Sequence, residues 1–238
     1  ISGAPGNGQN IEILLAAIPN EIVNQYKEIA KNINLEIISL EAEIFGLIEA
    51  LIKTDDVRAI CLVDIGAQST MCSVVEKKIL MTSHSFDMAS NYLLDKTLNN
   101  LLLDAETIKQ IKKNYGLNFF SNLPQDDIIL DAFKKSLEPI IREIELILQE
   151  YKHTSNKEVS KIIISGGAAL LPPVIEQFKK HFMREVESAD PFARIHYPAA
   201  LIPQAQKIAP VYSVAVGMAL RGINNSKKQK TAKYHVKN

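Results

Sequence analysis

Scarcity marks this sequence first. Among its 238 residues there are two cysteines, Cys61 and Cys72, and no excess of either charge, with 27 basic side chains against 27 acidic ones. Both thiols lie inside apolar, strand-like runs, and 47% of the chain is apolar, enough to build a core without cross-links. Two buried thiols in a reducing compartment is therefore the reading, rather than a disulfide scaffold. The charge balance supplies no global field for nucleic acid or acidic lipid, so no nucleic-acid partner is expected and any partner must be recognised locally. No apolar run reaches membrane-spanning length and none reads as a signal sequence. The five histidines, His84, His153, His181, His196 and His235, show no metal-ligand spacing and read as surface or satisfied structural residues.

What is present is an alternation of apolar patterns. Ile11 to Ile18 reads as a buried strand, Glu21 to Asn32 as a helix with Asn20 as its cap, Leu35 to Ser39 as a strand, and Glu41 to about Lys53 as a helix. Lys53 to Arg58 is the first polar break, and a domain boundary is expected there. That gives 1–57, 58–223 and a basic, polar tail, 224–238, which reads as disordered. Beyond the break, Ala59 to Asp64, Met71 to Val75 and Ile79 to Phe86 read as an antiparallel meander, because their connections are short. Helical patterns follow from Met88 to about Leu103, from Ala105 to Tyr115 with Gly116 as a stop, and from Asp126 to Tyr151, where Pro139 should kink or divide the helix. A strand from Val159 to Ser165, a helix opened by Pro172 and Pro173, a short strand near Glu185 to Glu187 and a last helix from Pro210 to Arg221 complete the α/β pattern. The chain opens at Ile1 in a stretch rich in glycine and asparagine, and is read as entering a longer protein through a loop.

Three places carry candidate chemistry. In Asp64-Ile65-Gly66-Ala67-Gln68-Ser69-Thr70 a glycine after a strand lets backbone approach a ligand, and turn amides with the Ser69 and Thr70 hydroxyls can cradle phosphate oxygens. Asp64 would repel phosphate unless a divalent cation or its waters lie between. On spacing alone, an ordinary hairpin turn with Asp64 accepting from backbone amides fits equally well. Glu106 and Lys109, three apart on one helical face, suit ribose hydroxyls and a base, or else a weak surface ion pair. Gly166 and Gly167, after the apolar run Ile162 to Ile164, suit a nucleotide packed on bare backbone, or else a tight strand-to-helix turn.

The order of these three motifs resembles the second half of the actin-like ATPase superfamily, and within it the chain is similar to the PilM family of type IV pilus assembly proteins. The matching residues are Ala16-Ala17-Ile18-Pro19, Val63-Asp64-Ile65-Gly66-Ala67, Ala105-Glu106 with Lys109, Tyr115-Gly116-Leu117, Gly166-Gly167, Ala189-Asp190-Pro191-Phe192 and Ala215 to Arg221. The resemblance implies an actin-like (ribonuclease H-like) fold with its second lobe complete and its first partial. It also implies ATP and Mg2+ as ligands. Asp64, Gly66, Gln68, Ser69 and Thr70 would form the second phosphate loop, with Asp64 reaching the metal through water. Glu106 and Lys109 would lie near the ribose, and Gly166 and Gly167 near adenine. The family usually carries Gly-Gly where this chain has Asp87-Met88-Ala89-Ser90. By the same resemblance the protein is a cytoplasmic scaffold, peripheral to the inner membrane. It would bind the peptide of a PilN-like membrane protein and couple other inner-membrane and motor proteins of the pilus. Any ATP turnover is expected to be slow, since no general base stands out near Asp64. A small-molecule kinase of the same superfamily and an FtsA-like division protein are the alternatives.

Overall fold

The computed structural model describes residues 17–101, 103–114 and 127–235. It divides into two compact units, Ile1–Ala42 and Glu43–Asn238. The division lies upstream of the polar break at Lys53 to Arg58, because helix α2 (Glu43–Leu51) buries Ile44, Leu47 and Ile48 in the core of the larger unit.

In the first unit the described regular structure is one helix, α1 (Asn20–Asn32). Its cap position is Pro19, so Asn20 is the first helical residue rather than the cap. Leu35 to Ser39, expected as a strand, has no regular structure. No strand pairs with it among the described residues, and extended backbone needs a ladder to satisfy its polar groups. The strand expected over Ile11 to Ile18 falls mostly outside the described residues.

The second unit follows α2 with β1 (Ala59–Ile65), β2 (Thr70–Glu76), β3 (Ile79–Phe86), α3 (Ser90–Asn100), α4 (Ala105–Asn114), α5 (Asp127–Ser155), β4 (Lys161–Ser165), α6 (Pro172–Phe182), β5 (Glu185–Ser188), α7 (Ile202–Ile208) and α8 (Ser213–His235). The strands form one sheet in the order β3-β2-β1-β4-β5. The first three are antiparallel neighbours, whereas β4 runs parallel to β1 and β5 parallel to β4. Link length dictates this: short turns allow only reversal, while the long helical excursion from β3 to β4 permits a parallel return. The β2–β3 turn is Lys77-Lys78, both at positive φ (51° and 62°). Those signs match the twist of a hairpin without the usual Asn-Gly, and Lys78 Nζ is held by Glu49 of α2 at 3.1 Å.

Alternation along β1 sorts the core. Cys61, Val63 and Ile65 enter one apolar cluster with Leu93, Phe133, Ile140, Ile144 and Phe178, so α3, α5 and α6 cover that face. Ile60 and Leu62 enter the other, with Ile44, Leu47, Ile48 and Ile163, under α2. Cys61 and Cys72 are free and buried, their sulfurs 3.5 Å apart.

Both long helices run past a point at which the sequence offers a break. Helix α5 passes Pro139 undivided. Leu137, Ile140, Ile141 and Ile144 are all buried on the two sides of the proline, and that apolar area outweighs the ~3 kcal/mol a proline costs inside a helix. The helix α8 continues to His235 instead of ending near Arg221. No proline interrupts Gly222 to His235, and its lysines, glutamine and alanine are good helix formers. Asp126, where the long helix was expected to begin, and the stop at Gly116 lie outside the described residues.

Candidate functional site

Strands β1 and β4 are paired so that Asp64 stands opposite Ser165. Parallel pairing brings the carboxyl ends of both strands to one edge of the sheet, where open α/β sheets bind their ligands. Ser165 Oγ donates to Asp64 Oδ1 at 2.8 Å, across 101 positions of sequence. Ser165 is buried and Asp64 half-buried. Burial pushes the Asp64 carboxyl above the ordinary carboxylate range, and the Ser165 hydrogen bond works against that rise. The carboxylate therefore takes a side-chain hydroxyl from β4 as its donor, where an ordinary hairpin would have supplied turn amides.

The turn beyond β1 is closed by Gly66 N–H donating to Ser69 O at 3.1 Å. Its outward carbonyls are occupied by the opening of α3: Ser90 N–H donates to Gly66 O at 3.0 Å and Asn91 N–H to Ala67 O at 3.1 Å. These bonds satisfy two of the amides that a helix start leaves orphaned, and they fix the turn on α3. Ala67, Gln68 and Ser69 remain exposed at its tip. Ala89, at the cap of α3, has φ −148°, an extended conformation open to any residue, so the backbone at this position has no need of glycine.

Thr70 differs from the expectation that its hydroxyl cradles an anion. It is fully buried, and its Oγ1 donates to Met88 O at 2.5 Å, tying β2 to the segment that leads into α3. Thr70→Val, which keeps the shape and removes the donor, is expected to lower stability by about 1–2 kcal/mol by orphaning that carbonyl. Urea unfolding would measure it, and an unchanged midpoint would make the bond dispensable.

On β4 the chain leaves through Gly166, which has φ +84°. A Cβ at this position would meet Ile65 O, lie 2.6 Å from Ile65 C and lie 2.9 Å from Asp64 Oδ1. Gly166 N–H donates to Pro210 O at 3.0 Å, and Gly167 begins a 3-10 turn, Gly167–Leu170. Both glycines are half-buried.

The structure thus brings together Asp64, the Gly66 turn and Gly166-Gly167. Glu106 and Lys109 are exposed on α4, where Glu106 accepts from Gln110 Nε2 at 3.0 Å. Helix α4 is held by Asp104, which accepts from Thr107 N–H at 2.9 Å and Thr107 Oγ1 at 2.6 Å. No hydrogen bond or ion pair among the described residues joins Glu106 or Lys109 to the turn. The residues that reading by motif missed are Ser165 and the α3 opening at Ser90 and Asn91. The signal for Ser165 was available: a parallel return of the Val159–Ser165 strand beside β1 places the residue before Gly-Gly next to the aspartate.

A model of the family described as type IV pilus assembly protein PilM matches residues 1–223. The chain belongs to the PilM family. Among solved structures it is similar to a PilM-PilN type IV pilus biogenesis complex, with a TM-score of 0.68 and 20% identity over 86% of this chain and 58% of that one. It is also similar to MreB5 of Spiroplasma citri bound to AMPPNP, with a TM-score of 0.55 and 16% identity over 91% of this chain and 68% of that one. Among curated proteins, the cell division protein FtsA of Staphylococcus epidermidis is 21% identical over 203 residues, 78% of this chain and 42% of FtsA. The chain thus spans less than half the length of these curated relatives. The α/β fold shared with these structures is that of the actin-like ATPases.

Proposed function

We propose that this PilM-family chain forms one side of a magnesium–nucleotide site in a cytoplasmic scaffold of type IV pilus assembly. The scaffold sits peripheral to the inner membrane, binds the peptide of a PilN-like membrane protein and couples inner-membrane assembly proteins to the motor. The observation that carries the nucleotide reading is the parallel β1–β4 register. It gathers a half-buried carboxylate, a glycine turn fixed on a helix start, and a side-chain-free Gly166 at one edge of the sheet.

The residues fit the ligand. At Gly166 the missing Cβ lets β4 close against Ile65 and Asp64 with no side chain between, and at the turn Ala67 to Ser69 are exposed. One carboxylate is too few donors for a closed metal site but suits magnesium, which keeps most of its water and binds through one or two carboxylates. Magnesium, when bound, would screen the phosphates from Asp64. Gly66, Gln68 and Ser69 would face the phosphates, Gly166 and Gly167 the adenine, and Glu106 and Lys109 the ribose. Thr70 would act from beneath, holding the turn. The solved MreB5 relative carries AMPPNP, which supports ATP as the nucleotide. The PilM-PilN complex among the similar structures supports the peptide partner.

Binding of ATP with magnesium to the intact protein tests this reading. Asp64→Ala is expected to weaken it at least about tenfold, the scale on which lost metal-site contacts act. Absence of nucleotide binding, or equal binding after the substitution, overturns the assignment. Capture by a PilN-like peptide is expected, whereas phosphorylation of a small acceptor would move the protein to the kinases of this fold.

A further inference from the structure

We infer that Ser165 is a positioning residue for the magnesium–nucleotide: its hydroxyl holds one oxygen of Asp64 so that the other is presented to the cation's water shell. The inference rests on the nucleotide reading and adds to it a residue that contacts neither ligand.

Three features of the structure lead there. Asp64 and Ser165 are register partners, and by strand alternation they share the sheet face of Leu62 and Ile163, both in the apolar cluster under α2. A carboxylate at the margin of such a face is poorly solvated, and it has one hydrogen-bond donor among the described residues, the Ser165 hydroxyl at 2.8 Å. Secondly, Ser165 is itself 1% exposed. A buried hydroxyl in a run that otherwise reads Ile162-Ile163-Ile164 has no packing advantage over alanine or valine, so its presence is accounted for by its partner. Thirdly, the next residue leaves the same oxygen room. Where Gly166 has no Cβ, one would stand 2.9 Å from Asp64 Oδ1 and evict the carboxylate from this position.

Oδ1 is thus seated between a donor and a bare backbone, and Oδ2 has no protein donor among the described residues. Fixing one oxygen removes rotational freedom that a cation would otherwise have to suppress on binding, and partners that orient a metal-binding group in this way commonly carry 10–100-fold in metal affinity. A residue that served only the fold would show a different pattern. It would weaken nucleotide binding whether or not magnesium was present.

The test is calorimetric titration of ADP into the intact protein, once with magnesium and once with EDTA, for wild type, Ser165→Ala, Ser165→Cys and Ser165→Thr. The alanine and cysteine variants are expected to lose about tenfold of the magnesium-dependent gain in affinity while binding in EDTA stays within about twofold. Threonine, which restores the hydroxyl, is expected to recover most of the gain. Equal losses with and without magnesium, or no loss in either, overturn the positioning role. If wild type binds ADP equally well in EDTA, the magnesium part of the underlying reading fails instead, and if it binds none the nucleotide reading itself fails; the wild-type titrations alone tell these apart from a failure of the positioning role.

Discussion

Gly217→Ala is expected to destabilise the protein by roughly 3 kcal/mol or more, the upper range for overpacking a closely packed contact. Gly217 lies on α8 where it crosses α2, and its added Cβ would run into Gly46 O and lie 2.8 Å from Gly46 Cα. The obstruction is reciprocal, since a Cβ on Gly46 would lie 2.9 Å from Val214 O. Both obstacles are backbone, so no side-chain rotation relieves them, and the helices must separate. Separation would loosen Ile44, Leu47, Ile48 and Ile52, each at most 5% exposed, from the sheet face they cover. Gly222, one of the next residues on the same helix, provides the control: nothing lies within 4 Å of a Cβ built there. Gly222→Ala is expected to stabilise by about 0.5–1 kcal/mol through helix propensity alone. Urea denaturation of the two variants should therefore move in opposite directions. A neutral Gly217→Ala would mean that α2 is not seated against α8 in solution.

That glycine contact was only partly legible in the sequence. The spacing of Ser213 with Gly217 and Ala215 with Ala219 announces a helix face able to pack closely, but not what packs on it, because α2 is far away along the chain. The same divide runs through the fold. Periodicity and short links located the meander from Ala59 to Phe86, the strand before Gly166 and the helix opened by Pro172, since each depends on neighbours in sequence. The strand at Leu35 to Ser39 depended on distant partners, and there the local pattern misled. At the candidate site, motif order singled out Asp64, Gly66, Gly166 and Gly167, which lie together at one edge of the sheet. Ser165 and the Ser90–Asn91 amides were not named, because their part follows only from the β1–β4 register and the docking of α3. Thr70 illustrates the reverse case. Its hydroxyl looks identical in a motif whether it faces a ligand or a buried carbonyl, and burial decides for the carbonyl.

Gly166→Ala is expected to be the most damaging single substitution at the site, lowering stability by roughly 2–6 kcal/mol and abolishing nucleotide binding in the protein that still folds. Two costs combine. At φ +84° and ψ 177° the backbone occupies a region reserved for glycine, where another residue is strained by about 1–3 kcal/mol. The added methyl also meets Ile65 O and C of the neighbouring strand, which overpacks the contact by about another 1–3 kcal/mol. Relief requires β4 to draw back from β1 at the point where Ser165 holds Asp64, so the loss propagates into the carboxylate's position. Domains of this size are held by about 5–15 kcal/mol, so the variant should fold at low temperature and permit measurement. Gly167→Ala separates the causes. Gly167 begins a 3-10 turn and shows no positive φ, so its alanine variant should retain nearly all of the stability. If Gly166→Ala unfolds at the wild-type urea midpoint, the strained turn and the close β1–β4 approach are both wrong. If it is destabilised but still binds nucleotide normally, the carboxyl edge of these two strands is not where the nucleotide sits.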